Sequence, residues 1–319
     1  SRLQRATRNL ETELAKQVLA DGVHISRNPE TVLELLTDLL PLRQTYANQS
    51  ETPPAALVAA IERLLPALRF FRHADGSLAR FNGAGFAMQE RIAAVLRYDE
   101  SAGAPLSSAP HGGYQRLATG SVCLIADTGK PPPGGASQDA HAGCLSFEFS
   151  SGRHSWIVNG GVDRFGPGDF RPLSRTTAAH STATVNDLSS CRFSSRGKLS
   201  NLAGTPILSG PRHVPVNRQD SDDVQSFAAS HDGYAASAGL VHHRQIALTH
   251  AGSVIIGRDS FVTPSGKPLR PGSKADVDIR FHLHPKIRMT VNGDGLIELS
   301  ANRDDTWVFT CTEIAPHTE

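Results

Sequence analysis

Four cysteines in 319 residues, Cys123, Cys144, Cys191 and Cys311, lie far apart without metal-ligand spacing, so neither a disulfide framework nor a zinc ribbon is indicated. No run of about 18 apolar residues occurs, which excludes an ordinary membrane-spanning helix, and no signal-peptide pattern opens the sequence. Neither sign of charge dominates. Thirty-two Lys and Arg face thirty-one Asp and Glu, so no global field draws the chain to nucleic acid or to an acidic membrane surface. A Gly-rich phosphate loop, a nucleophile elbow and a basic aromatic platform are all missing. Their absence argues against nucleotide-dependent, serine-hydrolase and nucleic-acid functions.

What is present reads as two parts. Apolar spacing predicts helices up to Ala20, from Pro29 to about Asn48, from Pro54 to about Phe71 and from Met88 to Leu96. Asn28 followed by Pro29 reads as an N-cap and first helical residue, with Val32, Leu35, Leu36, Leu39 and Leu40 as the buried stripe. After Tyr98, "ESAGAPLSSAPHGG" is a linker. Short alternating segments then predict antiparallel strands: "SVCLIADT", "LSFEFSS", "SWIVNG", "RQIALTH", "SVIIGRDSFV", "DIRFHLHP", "LIELSA" and "WVFTCTE". The expected fold class is therefore α+β and multidomain, with a helical domain over 1–104 and a large antiparallel β-sandwich over 105–319. "KPPPGGAS" is expected as a stiff loop between strands.

The stretch "HAGCLSFEFSSGRHSWIVNGG" predicts a hairpin with one buried face, Leu145, Phe147 and Phe149 inward and Ser146, Glu148 and Ser150 outward. His141 precedes it, Asn159 follows it, and His180 sits in the later "RTTAAHST". By residue type these three stand either as converging metal ligands or as separately hydrogen-bonded side chains. His282 and His284 of "FHLHP" fall on one face of an expected strand, read as a polar outer face.

Together with "SHDGYAASAGLVHHRQIAL", and with "DGVHISRNPE" and "HADGSLARFNG" in the helical part, these blocks resemble the heparinase II/III-like polysaccharide lyases over nearly the whole chain. The resemblance implies the end of an α/α toroid joined to a β-sandwich, with an acidic polysaccharide such as alginate or a glycosaminoglycan in the cleft between them. It implies β-elimination: the uronate carboxylate is neutralised, a base removes the C5 proton, and an acid protonates the leaving oxygen. It also implies that the chain is an internal piece of a longer protein of the periplasm or cell envelope. The metal set it implies is His141, Asn159 and His180, holding zinc, with Asn159 where relatives place an Asp.

Two further positions depart from the pattern. Thr31 stands near the usual Tyr, and Asp139 where many relatives have another His. The remaining candidates for proton transfer are His24, His73 and Tyr234, and for substrate binding Arg27, Arg72, Asn82, Arg175 and His231. Two functions follow: a lyase acting on a uronate-containing glycan, or a non-catalytic glycan-binding or cell-envelope protein that keeps the fold. No nucleic-acid partner is expected.

Overall fold

A computed structural model describes residues 2–100, 103–162, 170–194, 204–249, 251–269, 275–293 and 296–312. His250 and Glu313, at the ends of two expected strands, lie outside these. The chain opens with helices α1 (Arg2–Gln17), α2 (Pro29–Asn48), α3 (Ala55–Phe70) and α4 (Gln89–Leu96). Asn28 caps α2 as its sequence predicts, its Oδ1 accepting from the Glu30 N–H at 2.8 Å. Val32, Leu33, Leu36, Leu39 and Leu40 recur at helical spacing and meet Leu57, Ile61, Leu64 and Leu68 of α3 in one core. The first helix stops at Gln17, short of the expected Ala20, because the chain must turn at Asp21-Gly22. Gly22 has φ +79°, and a Cβ there would stand 1.9 Å from the Arg63 carbonyl oxygen of α3, so only glycine fits.

Strands β1 (Ser108–Ala109), β2 (Tyr114–Thr119), β3 (Val122–Asp127), β4 (Phe147–Ser151) and β5 (His154–Ile157) form an antiparallel sheet in sequence order. A single helical turn, α5 (Phe170–Ser174), and β6 (Ala183–Val185), β7 (Arg192–Phe193) and β8 (Ile207–Ser209) follow. A second sheet holds β9 (Val216–Asp220), β10 (Val224–His231), β11 (Val241–Thr249) and β12 (Ile255–Val262), all antiparallel neighbours. β13 (Val277–Ile279) pairs with β6, and β14 (Arg288–Val291), β15 (Ile297–Ser300) and β16 (Thr306–Phe309) make a third sheet.

The first sheet is covered on both faces. Cys123 and Ile125 of β3 join the helical core, while Leu124 of β3 and Phe147 and Phe149 of β4 pack with Phe227, Ile246 and Leu248 of the second sheet. This explains why all six residues of β3 are buried. It also corrects the one-sided hairpin. Ser146, Glu148 and Ser150 are as buried as the phenylalanines, because the helical part lies over their face of β4. Leu145, expected in the strand, instead has φ +62° and belongs to the turn before it. "FHLHP" forms no full strand, only one bridge, Ile157 to Leu283, with backbone bonds at His282 and His284 on either side of it. His282 Nε2 reaches the Ala178 carbonyl at 2.9 Å.

Candidate functional site

Each candidate side chain can be followed from the element that carries it. Arg27 stands in the loop before α2 at φ +59°, a conformation strained for a side chain of its size. Its buried guanidinium donates to the carbonyls of Gly112, Gly113 and Lys130 and pairs with the Asp127 carboxylate. Gly129 makes room for it, since a Cβ there would lie 2.4 Å from Nη2. Arg27 is thus a strut from the helices to the first sheet. Asn82, buried at φ +49°, donates to Tyr114 Oη and Asp127 Oδ2 and accepts from the His141 N–H at 3.3 Å.

His73, in the loop after α3, reaches Glu148 Oε2 and Ser150 Oγ of β4, both at 3.0 Å. Burial works against its charge, but the neighbouring Cys123 and Glu148 outweigh burial and raise its pKa to about 9, so an imidazolium is held there at neutral pH. The other carboxylate oxygen of Glu148 accepts from the Asn159 N–H at 2.9 Å.

His141, Asn159 and His180 come together. His141 Nδ1 lies 2.9 Å from His180 Nε2, and Asn159 Oδ1 accepts from the N–H of Ser181 beside His180 at 3.2 Å. All three residues are at most 4% exposed. Arg175 braces the same wall, donating to the carbonyls of Ala140, Ser137 and Thr205 with its guanidinium 4.4 Å above the Phe193 ring.

Tyr234 and His231 are carried by the second sheet, at and just after the end of β10. Tyr234 follows β10, has no exposed surface, packs with Val185 and Leu240, and donates its O–H to the Ala183 carbonyl at 2.7 Å. Burial pushes its phenol well above the ordinary value. His231 Nδ1 accepts from the Gly233 N–H, and its ring stands edge-on to His242, which is bonded to Asp259. Arg244 joins these groups to the rest of the network, donating to the carbonyls of Leu145 and Ser181 while pairing with Asp259, and the Tyr234 hydroxyl also lies beside the Thr177 side chain of the His180 segment. His24 is half-buried; Nδ1 accepts from the Ser26 N–H, Nε2 reaches Gln17 Oε1, and burial lowers its pKa to about 4. Of the residues proposed to touch substrate, Arg72 alone is exposed.

The result is a continuous buried polar chain running His73, Glu148, Asn159, Ser181, Arg244, Asp259 and His242. Glu148, Ser181, Arg244 and Asp259 of this chain are not among the candidates read from residue type, nor is Asp127, which binds Arg27 and Asn82. A clue for Glu148 was available: an ionisable side chain alternating with Phe147 and Phe149 in a strand.

Comparison with known proteins now decides the family. The family model described as "Heparinase II/III-like, C-terminal" matches residues 101–319. The chain belongs to the heparinase II/III-like family. FtsZ-localized protein C of Caulobacter vibrioides is 34% identical over 293 residues, covering 91% of this chain and 50% of that protein. A crystal structure of heparinase III is similar in fold (TM-score 0.67, 12% identity, 94% of this chain and 48% of that one). So is heparan sulfate lyase HepC from Pedobacter heparinus (TM-score 0.65, 16% identity, 93% and 48%). The chain therefore spans about half the length of these relatives.

For a heparinase II/III-like chain, the expected zinc must be tested against the side chains present. The set offers two imidazoles already bonded to each other and a neutral amide whose oxygen is engaged by Ser181. Glu148 is turned toward His73, Arg80 N–H and Asn159 N–H. No carboxylate completes the set, and the residues do not fit zinc.

The bonding of Tyr234 gives a check on its role. Tyr234→Phe removes one buried hydrogen bond and should cost about 1 kcal/mol in urea unfolding, leaving any glycan-directed activity unchanged. A loss of activity at wild-type stability would restore Tyr234 as a proton carrier.

Proposed function

We propose that this protein is a glycan-binding member of the heparinase II/III-like family whose residues in this chain do not form a β-elimination acid/base pair. In this reading the four helices end an α/α toroid, residues 1–104 form the helical unit, residues 105–319 form the sandwich, and an acidic polysaccharide lies in the groove between them. The observation that carries it is the state of the proton carriers. Thr31 replaces the usual phenol, Asp139 replaces the usual imidazole and is tied to Arg171, and the ring nitrogens of His73 and His24 and the phenol of Tyr234 are engaged within the protein. A group whose proton is held in a buried bond is poorly placed to exchange it with a substrate.

The test uses the full-length protein with alginate, heparin, heparan sulfate and chondroitin sulfate. Saturable binding to one of them without the ultraviolet absorbance of an unsaturated uronate is expected. Accumulation of that product would instead make the protein a lyase, the enzyme reading of the same groove.

A second reading rests on the 34% identity to a protein named for its localisation with FtsZ, which exceeds the 12% and 16% shared with the two lyases. In this reading the protein acts where FtsZ assembles. Colocalisation of a tagged full-length protein with FtsZ supports it. A signal confined to the periplasm or outer envelope favours the polysaccharide reading alone.

A further inference from the structure

We propose that His141, His180 and Asn159 form a metal-free hydrogen-bonded clasp, and that the amide of Asn159 is what keeps a divalent cation out of it. The hydrogen bonds fix the protons. His180 Nδ1 faces the Thr176 carbonyl at 2.8 Å, and a carbonyl only accepts, so Nδ1 carries the proton and Nε2 presents its lone pair. That lone pair accepts from His141 Nδ1–H at 2.9 Å. The two nitrogens that would both have to face a cation are already joined by one proton. Zinc bonds of about 2.0–2.1 Å at a tetrahedral angle hold ligand nitrogens roughly 3.3 Å apart, wider than this contact.

The amide is fixed by its bonding too. Its Oδ1 accepts from the Ser181 N–H, which leaves Nδ2 as the other end. Nδ2 and His141 Nε2 are buried with no partner among the described residues. One donates and the other accepts, a pairing that suits a neutral hydrogen-bonding molecule; the N–H dipoles of the amide repel a cation. The surroundings point the same way. Two neutral imidazoles and a neutral amide supply no negative charge, and the guanidiniums of Arg175 and Arg171 stand near enough to His141 to oppose positive charge there. The carboxylate that acts on His180 is Glu148, and its oxygens are engaged by His73, the Arg80 N–H and the Asn159 N–H, so no carboxylate oxygen is left to compensate a buried dication within the set. Among the described residues, no group of three or more His, Cys, Asp and Glu converges on a point.

The clasp has a structural use. It ties the loop carrying His141, the end of β5 and the segment of His180 into one wall, and through the Asn159 N–H it is joined to Glu148. This holds for a lyase and for a binding protein alike.

The experiment measures zinc per chain and thermal unfolding, with and without added zinc or EDTA, for the full-length wild type and for Asn159→Asp. Wild type should purify with substoichiometric zinc and melt at the same temperature in EDTA and in zinc. Asn159→Asp should take up about one zinc per chain and gain stability when zinc is added. One zinc per wild-type chain, with a melting temperature that falls in EDTA, overturns the proposal. A folded Asn159→Asp protein that takes up no zinc overturns the part assigned to the amide. The wild-type measurements decide the metal-free clasp by themselves should the variant not fold.

Discussion

Acidification from about pH 6.5 to about pH 5 should unfold the protein in one cooperative step, with several protons taken up as it unfolds. Five histidines set this expectation. Burial lowers His24 and His180 to about 4, and lowers His141, His231 and His242 below the ordinary imidazole value. Neighbouring positive charge adds to the effect at His141 and His231, whereas Asp259 partly offsets it at His242. Their folded-state pKa values lie under the unfolded one, so as pH falls below about 6.5 the unfolded chain binds protons that the native protein refuses. Each fully titrating site then removes about 1.4 kcal/mol of stability per pH unit, so His24, His141, His180 and His231 together remove up to roughly 5.5 kcal/mol per pH unit, against a typical total of about 5–15. His73 acts in the opposite sense. Its pKa is raised to about 9, so its contribution is whole below about 6.5 and is lost as pH rises through about 9. Stability should peak near neutrality. Fluorescence of the buried Trp156 with potentiometric proton uptake reads the acid transition. A native spectrum kept to about pH 4.5, without excess uptake, would rule it out.

Local signals in the sequence carried most of the elements and little of their environment. Asn28-Pro29 predicts the start of α2 because a cap depends on a few adjacent residues, and the structure places the cap there. The alternation in 145–151 finds β4 and its two faces for the same reason. It fails on the burial of the polar face, because whether Glu148 and Ser150 meet water is decided by a helical layer about 70 residues away in sequence. The family pattern selects His141, Asn159 and His180, which the fold brings to one place, yet their mutual bonding depends on tautomers that sequence does not display. Arg27, Asn82 and Arg175 look like ligand-binding side chains by type. The buried partners of Arg27 and Arg175 are mostly backbone carbonyls of distant loops, which carry no residue signature, and Asn82 is taken up by Tyr114, Asp127 and the His141 N–H. Residue type marks polarity, and only the packed layers show where that polarity is spent.

Glu148 is the place where breaking the buried chain should cost most. Its carboxylate accepts from His73 at 3.0 Å, from the Arg80 N–H at 3.1 Å and from the Asn159 N–H at 2.9 Å, and it is 3% exposed. Glu148→Ala strands three donors, one of them an imidazolium that burial alone would not tolerate. Removing one partner of a buried ion pair typically costs about 3–5 kcal/mol, and the two orphaned backbone N–H groups add to that. A loss of at least about 4 kcal/mol in urea unfolding at pH 7 is therefore expected, enough to leave a marginal domain largely unfolded. His73→Ala removes the imidazolium and leaves the carboxylate with its two backbone donors, so it should cost less. The double variant has no stranded charge. It should be at least about 2 kcal/mol more stable than the two single losses added together, which is the coupling energy of the pair. Glu148→Ala within about 1 kcal/mol of wild type would mean that water or a shift of β4 relieves His73, and that apolar packing with the Arg27–Asp127 strut holds the helices on the sheet without the Glu148 bonds.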